Sequence, residues 1–259
     1  MEGMVGMSDN NGEDKKQNSL QRYLYAADKE RLRTLLEEMS QITAASIEKA
    51  VRALRSGDAV LAEKVIGEDD LIDEKEEQID QECLYSIATR QPMREDLRFV
   101  YSVMKIIVDL ERIGDQAVNI AMGVRDLPEG LTFPGEMMPF VEKMAEENIK
   151  MIEEVMQAFE AEDETVICAT RERRKLIKKT RNDAVSMLDG IIASEKVCGS
   201  DRMKLFCAVI LILRHLSRIS DHVLNLAERV SFIATGISPL TLKKAQEKGR
   251  PKTLFDKES

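Results

Sequence analysis

The chain of 259 residues is 43% hydrophobic and 33% charged, with 14 Met, 6 Pro and no Trp, a balance that suits helix packing better than the aromatic, β-branched chemistry of sheets. Its length accommodates one large or two mid-sized domains. Lys and Arg total 38 against 47 Asp and Glu, a formal charge of −9; that field repels phosphate backbones and argues against general nucleic-acid binding.

No uninterrupted apolar run approaches the roughly 18 residues that span a bilayer, and the opening MEGMVGMSDNNGEDKKQNS lacks the apolar centre of a signal peptide. A cytoplasmic protein is expected. Residues 1–19 are polar and aperiodic and read as a disordered leader. A first helix is predicted over about 27–55, with a break at Ser56, Gly57 and Asp58 and Asp58 as the N-cap of the second helix. The second helical run continues unbroken to about Arg90 and stops at Gln91 and Pro92; the third spans about 95–125. Residues 126–139, DLPEGLTFPGEMMP, hold three prolines and two glycines and read as a linker between domains.

Beyond it the pattern restarts. IEKAVRALRSGDAVLAEKV from Ile47 aligns with IEEVMQAFEAEDETVICAT from Ile152 at a shift of 105, which sets Asp58 on Asp163. ERIGDQAVNIA matches SRISDHVLNLA, pairing Asp115 with Asp221 and Asn119 with Asn225 at a shift of 106. The expected fold is all-α: two tandem antiparallel three-helix bundles with separate cores, over 20–125 and 140–236, and a flexible tail over 237–259. The third-helix seams are Val103, Ile106, Leu110, Ile113, Ala117 and Ala121, and Val209, Leu216, Ile219, Val223 and Ala227.

Within DLERIGDQAVNIA, Glu111, Asp115 and Asn119 recur every four residues, within about 80° of one another around the helix axis. In DDLIDEKEEQID, Asp70, Asp73, Glu77 and Asp80 share a flank if Ile72, Ile79 and Cys83 mark the seam. Facing each other, the two flanks would gather a patch of carboxylates whose repulsion protons or cations must relieve. Oxygen donors suit Mg²⁺, Mn²⁺, Ca²⁺ or iron; the bland alternative is acids on solvated helix faces. Cys83, Cys168, Cys198 and Cys207 show no C-x-x-C pairing and read as reduced, structural thiols. His215 and His222, about 10 Å apart along a helix, cannot grip one ion together and are expected as surface imidazoles.

LERIGDQAVNIA, its echo RISDHVLNLAE, and IDQECLYSIATRQPMREDLR resemble the PhoU family, regulators associated with phosphate-specific transport, over about residues 35–233. The resemblance implies two similar three-helix bundles and a metal-binding Glu/Asp-x-x-x-Asp motif in each. Glu111 and Asp115 match it, with Asp73, Glu77 and Asp70 as supporting ligands for a divalent or ferric ion: iron, manganese, magnesium or zinc. The second copy departs. Ser217 stands in place of the first acid, so Asp221 is its one candidate ligand; Lys175, Lys178 and Asn182 replace Asp70, Asp73 and Glu77, and Arg214 is expected on the same flank. The run RERRKLIKK, 171–179, reads as a solvated face or a basic contact surface.

As partners the resemblance implies the transporter's ATPase subunit and a membrane sensor histidine kinase. It also implies a regulator without chemistry of its own, and the chain carries no G-x-x-x-x-G-K-[ST] loop or G-x-S-x-G elbow. The competing classes are a metal-free helical adaptor and a carboxylate-bridged metalloenzyme. Against the latter, neither histidine completes the Glu-x-x-His pair of di-iron bundles. The Met-rich apolar surface suggests a homodimer.

Overall fold

A computed structural model describes residues 10–127, 131–194 and 200–241. Seven α-helices succeed one another among these residues: α1 (Asn10–Ser56), α2 (Ala59–Gly67), α3 (Asp70–Arg90), α4 (Glu95–Arg125), α5 (Met138–Ala161), α6 (Val166–Ser194) and α7 (Ser200–Thr235). No strand occurs among the described residues. Of the expected leader only 1–9 lie outside them; residues 10–19, read from their polarity as disordered, instead form the start of α1, and most of the tail, 242–259, lies outside the described residues.

Several of the described helix ends have a local cause. α1 stops where Gly57 turns left-handed at φ 64°, and the Asp58 carboxylate accepts a hydrogen bond from Leu61 N at 2.9 Å, capping α2. The second run is not continuous to Arg90, as the sequence suggested. It breaks at Glu68 and Asp69, where Gly67 offers the poorest propensity and three successive acids suit a new helix start, which favours negative charge. At the far end of α3, Gln91 takes φ 51° and Pro92 cannot extend the ladder. α4 has the limits expected of the third helix. In the second copy, Asp163 stands in for Asp58, its carboxylate accepting from both the backbone N–H and the hydroxyl of Thr165.

The buried face of α4 holds the whole expected seam from Val103 to Ala121, and that of α7 holds Val209, Leu216, Ile219, Val223 and Ala227. The two bundles do not keep separate cores. α4 packs more extensively against α7 than against any helix of its own bundle, and one continuous apolar cluster runs through both. Phe99 of α4 stacks on Phe159 of α5 with ring centroids 5.6 Å apart. Lys29 and Arg33 of α1 reach Glu162, just past α5, at 2.7 and 3.0 Å. Even the linker joins in, because Phe133, Met137 and Met138 are buried. The reason is geometric: a third helix with apolar residues over much of its circumference cannot cover them within a three-helix unit.

The same junction accounts for the histidines, which are not free surface imidazoles. His222 Nδ1 lies 2.9 Å from Asp109 Oδ1, an atom that also accepts from Asn225 Nδ2 at 2.9 Å. His215 Nδ1 lies 2.9 Å from Gln116 Oε1, and burial, reinforced by Arg214 and Arg218, lowers its pKa. Of the cysteines, Cys83 is buried with its thiol pushed up to about 12 by that burial, whereas Cys168 and Cys207 are exposed rather than structural; Cys198 lies outside the described residues.

Candidate functional site

Gly114 sets the distance between α3 and α4. A Cβ there would stand 2.7 Å from Ile72 Cδ1 and 3.6 Å from Asp69 Oδ1, so the bare backbone lets the start of α3 close on the middle of α4. One turn apart beside that contact sit Glu111 and Asp115. Arg112 lies between them, its Nε 3.3 Å from Glu111 and its Nη1 3.2 Å from Asp115.

The charges around this contact are mostly of one sign. Burial raises the Asp69 carboxyl to about 6, and Asp73, Asp115 and Asp70 add to the rise. Burial also raises Glu111 to about 6, with Asp115, Glu76 and Asp73 pushing the same way and Arg112 opposing. Glu76 is raised too, first by burial, then by Asp73, Asp80 and Asp115. Carboxyls that resist ionisation in this way gain free energy from any cation placed among them.

The structure thus brings Glu111, Asp115 and Asp73 into one electrostatic group. Asp70 reaches it only through its field at Asp69, and Glu77 is exposed, accepting from Gln81 Nε2 at 3.2 Å along its own helix. Asn119 does not converge with the acids: its side chain donates to the Asp115 backbone carbonyl at 2.7 Å. Sequence reasoning missed Asp69 and Glu76. The signal for Glu76 was present, since it falls in phase with Ile72, Ile79 and Cys83, where an apolar residue belongs.

The donor set is all oxygen, which suits a hard or borderline cation. Among the described residues, however, no three Asp, Glu, His or Cys side chains are placed to hold one ion together. The group is a strongly acidic face, not an assembled coordination shell.

In the second copy, Asp221 of α7 receives Arg174 Nε at 2.6 Å and Lys178 Nζ at 3.3 Å, both from α6. Lys175 turns away to Glu172. Arg214 does not enter this flank; it is exposed in a groove with Arg181 and Leu213. Nor is the basic run a free surface, because Arg173 pairs with Glu147 and Glu154 of α5, and Arg171 stands 3.8 Å from Glu228.

Two copies of one three-helix unit fused on a shared core, with the same turn of each third helix bearing an acid, define a tandem helical-bundle scaffold whose charged faces carry its chemistry. The PhoU domain matches the chain twice, at residues 36–124 and 141–230. The chain belongs to the PhoU family. It is 31% identical to a "Phosphate-specific transport system accessory protein PhoU homolog" of Rhizobium meliloti, over 79% of this chain and 84% of that protein. The homolog of the same name from Pseudomonas aeruginosa is also 31% identical, with 82% and 86% covered. A crystal structure of PhoU from Pseudomonas aeruginosa superposes with a TM-score of 0.74 at 30% identity, covering 82% of this chain and 100% of that one. A PhoU structure from Streptococcus pneumoniae shares the fold, with a TM-score of 0.73 at 24% identity.

Proposed function

We propose that the chain is a non-catalytic regulator of phosphate uptake and of phosphate-starvation signalling that acts by contact with other proteins. The match of both bundles to one domain, shared with relatives named as accessory proteins of phosphate-specific transport, carries this reading. Its partners are the ATPase subunit of the phosphate transporter and a sensor histidine kinase, met from the cytoplasm by a homodimer that damps the starvation response. Among the described residues no helix is long and apolar enough to cross a membrane, consistent with peripheral contact.

A divalent or ferric ion taken up by the acidic face of the first bundle belongs to the same proposal. Glu111 and Asp115, with Asp73, Asp69 and Glu76 around them, are the residues to which it would bind. The raised carboxyls support this, because an ion would relieve the repulsion that protons and, at Glu111, Arg112 oppose.

Deleting the gene and assaying a phosphate-starvation reporter in phosphate-replete medium tests the function. Derepression that the wild-type gene restores, together with enrichment of the ATPase subunit or kinase in cross-linked affinity capture, is the expected result. An unchanged reporter with neither partner enriched would contradict it.

A further inference from the structure

A groove runs along the junction of α1 and α5. Its floor is apolar, with Ala44, Ala45, Ile149 and Met156, and its rim in the first stretch is acidic, with Glu37, Glu48, Glu153 and Glu160. No Lys or Arg lines that stretch; Arg52, Arg55 and Lys150 appear only further along. The acidic mouth is under stress. Burial raises the Glu160 carboxyl, Glu30 and Glu37 raise it further, and Arg33 and Lys29 offset this only in part.

We propose that this groove is the docking site of the chain's own residues 242–259, folded back onto the molecule that carries them. Three observations point to that occupant. The first is charge: LKKAQEKGRPKTLFDKES carries Lys243, Lys244, Lys248, Arg250 and Lys252 ahead of its first acid pair near the end, with Glu247 alone among them. These cations complement a rim whose lining holds no Lys or Arg and whose Glu160 is met from outside the groove by Arg33 at 3.6 Å. The second is pattern, because Leu254 and Phe255 come directly after the basic stretch and give the apolar floor an anchor.

The third is position. α7 ends at Thr235 against the start of α4, where Arg98 Nε donates to the Ile233 carbonyl at 3.1 Å. Tyr25 of α1 donates to the Asp96 carbonyl at 2.9 Å at the same end of the molecule. The α5 terminus is there too, tied to Lys29 and Arg33. The tail therefore starts at the end where the groove has its acidic mouth. From Tyr25 to Ala45 along α1 is about 30 Å, and residues 242–259 span up to about 60 Å when extended. Reach and polarity agree.

Zero-length carbodiimide coupling on the full chain, read by mass spectrometry, tests this, because it joins a lysine to a carboxylate only where they touch. An equal mixture of ¹⁴N and ¹⁵N protein separates coupling within one chain from coupling between two. Lys243, Lys244, Lys248 or Lys252 should couple to Glu37 or Glu160 within single-isotope chains. The Lys49 to Glu68 pair, 2.5 Å apart, serves as an internal standard. In a full-length Leu254→Asp, Phe255→Asp variant the tail couplings should fall about tenfold or more while the standard holds. The proposal is overturned if the tail couples as well to Glu111 or Asp115 as to the groove. It is equally overturned if tail couplings join only chains of different isotope, or survive the double substitution.

Discussion

Arg174 Nε lies 2.6 Å from Asp221 Oδ1, so in the second bundle a neighbouring helix supplies the positive charge that the acid faces. Asp115, at the same turn of the repeat, is paired instead with Arg112 of its own helix at 3.2 Å. The Arg174 and Asp221 side chains are 30% and 44% exposed, and an ion pair so open to water is worth no more than about 1 kcal/mol. Arg174→Ala should therefore cost at most that much in urea denaturation. A loss of several kcal/mol would show that the pair holds the bundle together rather than merely neutralising it.

Asp69 gives a pH-dependent outcome. Its carboxyl is raised from 3.8 to about 6 in the fold, so the folded chain binds more protons than the unfolded one between those values. Stability is then lost as pH rises across that window, and the full penalty is present at pH 7. Asp69→Asn should stabilise the protein by on the order of 1 kcal/mol at pH 7. Below the unfolded carboxyl's range the gain should vanish. Thermal melts at acid and neutral pH check the sign; a larger gain in acid would contradict it.

The all-α class, the duplicated unit, the turn at Gly57 and Asp58, and the limits of α4 were legible because each rests on local chemistry or on a seam that repeats along one helix. What covers that seam is not local. Apolar periodicity marked Leu110 and Leu216 as buried but could not say that α4 and α7, the helices that carry them, pack against each other, and so it suggested two cores where one exists. The misplacement of the histidines has the same origin, since Asp109 and Gln116, their partners, stand on the opposite bundle. The acidic face was half legible. Glu111, Asp115 and Asp73 were found by spacing, whereas Asp69 lies at a break hidden by the helical look of the residues around Gly67.

Gly114→Ala tests the approach of α3 to α4. Alanine is the better helix former by about 1 kcal/mol, yet its Cβ would meet Ile72 Cδ1 at 2.7 Å. Ile72 is buried and has little room to move, so the clash should dominate. The variant should lose about 1–3 kcal/mol. Stabilisation in denaturant titration would mean that the two helices are not locked by this contact.

The shared core makes a further demand on unfolding. Asn225→Ala should cost about 1 kcal/mol, and that cost should largely disappear in an Asp109→Ala background, because both changes remove the same bond between bundles. Wild type should unfold in one transition reported equally by probes in either bundle. Two separated transitions would contradict the single core.

In the function proposed for this chain, the first bundle takes up a cation whose role the second fills with its own side chains. Calorimetric titration of the metal-free full chain with Mn²⁺, paired with melting curves, decides whether it does. Wild type and Asp221→Asn should both bind saturably and gain stability, by about 2.7 kcal/mol at a free ion concentration a hundredfold above Kd. Glu111→Gln combined with Asp115→Asn should do neither. Equal binding by that double variant, or binding abolished by Asp221→Asn alone, would contradict this division of roles.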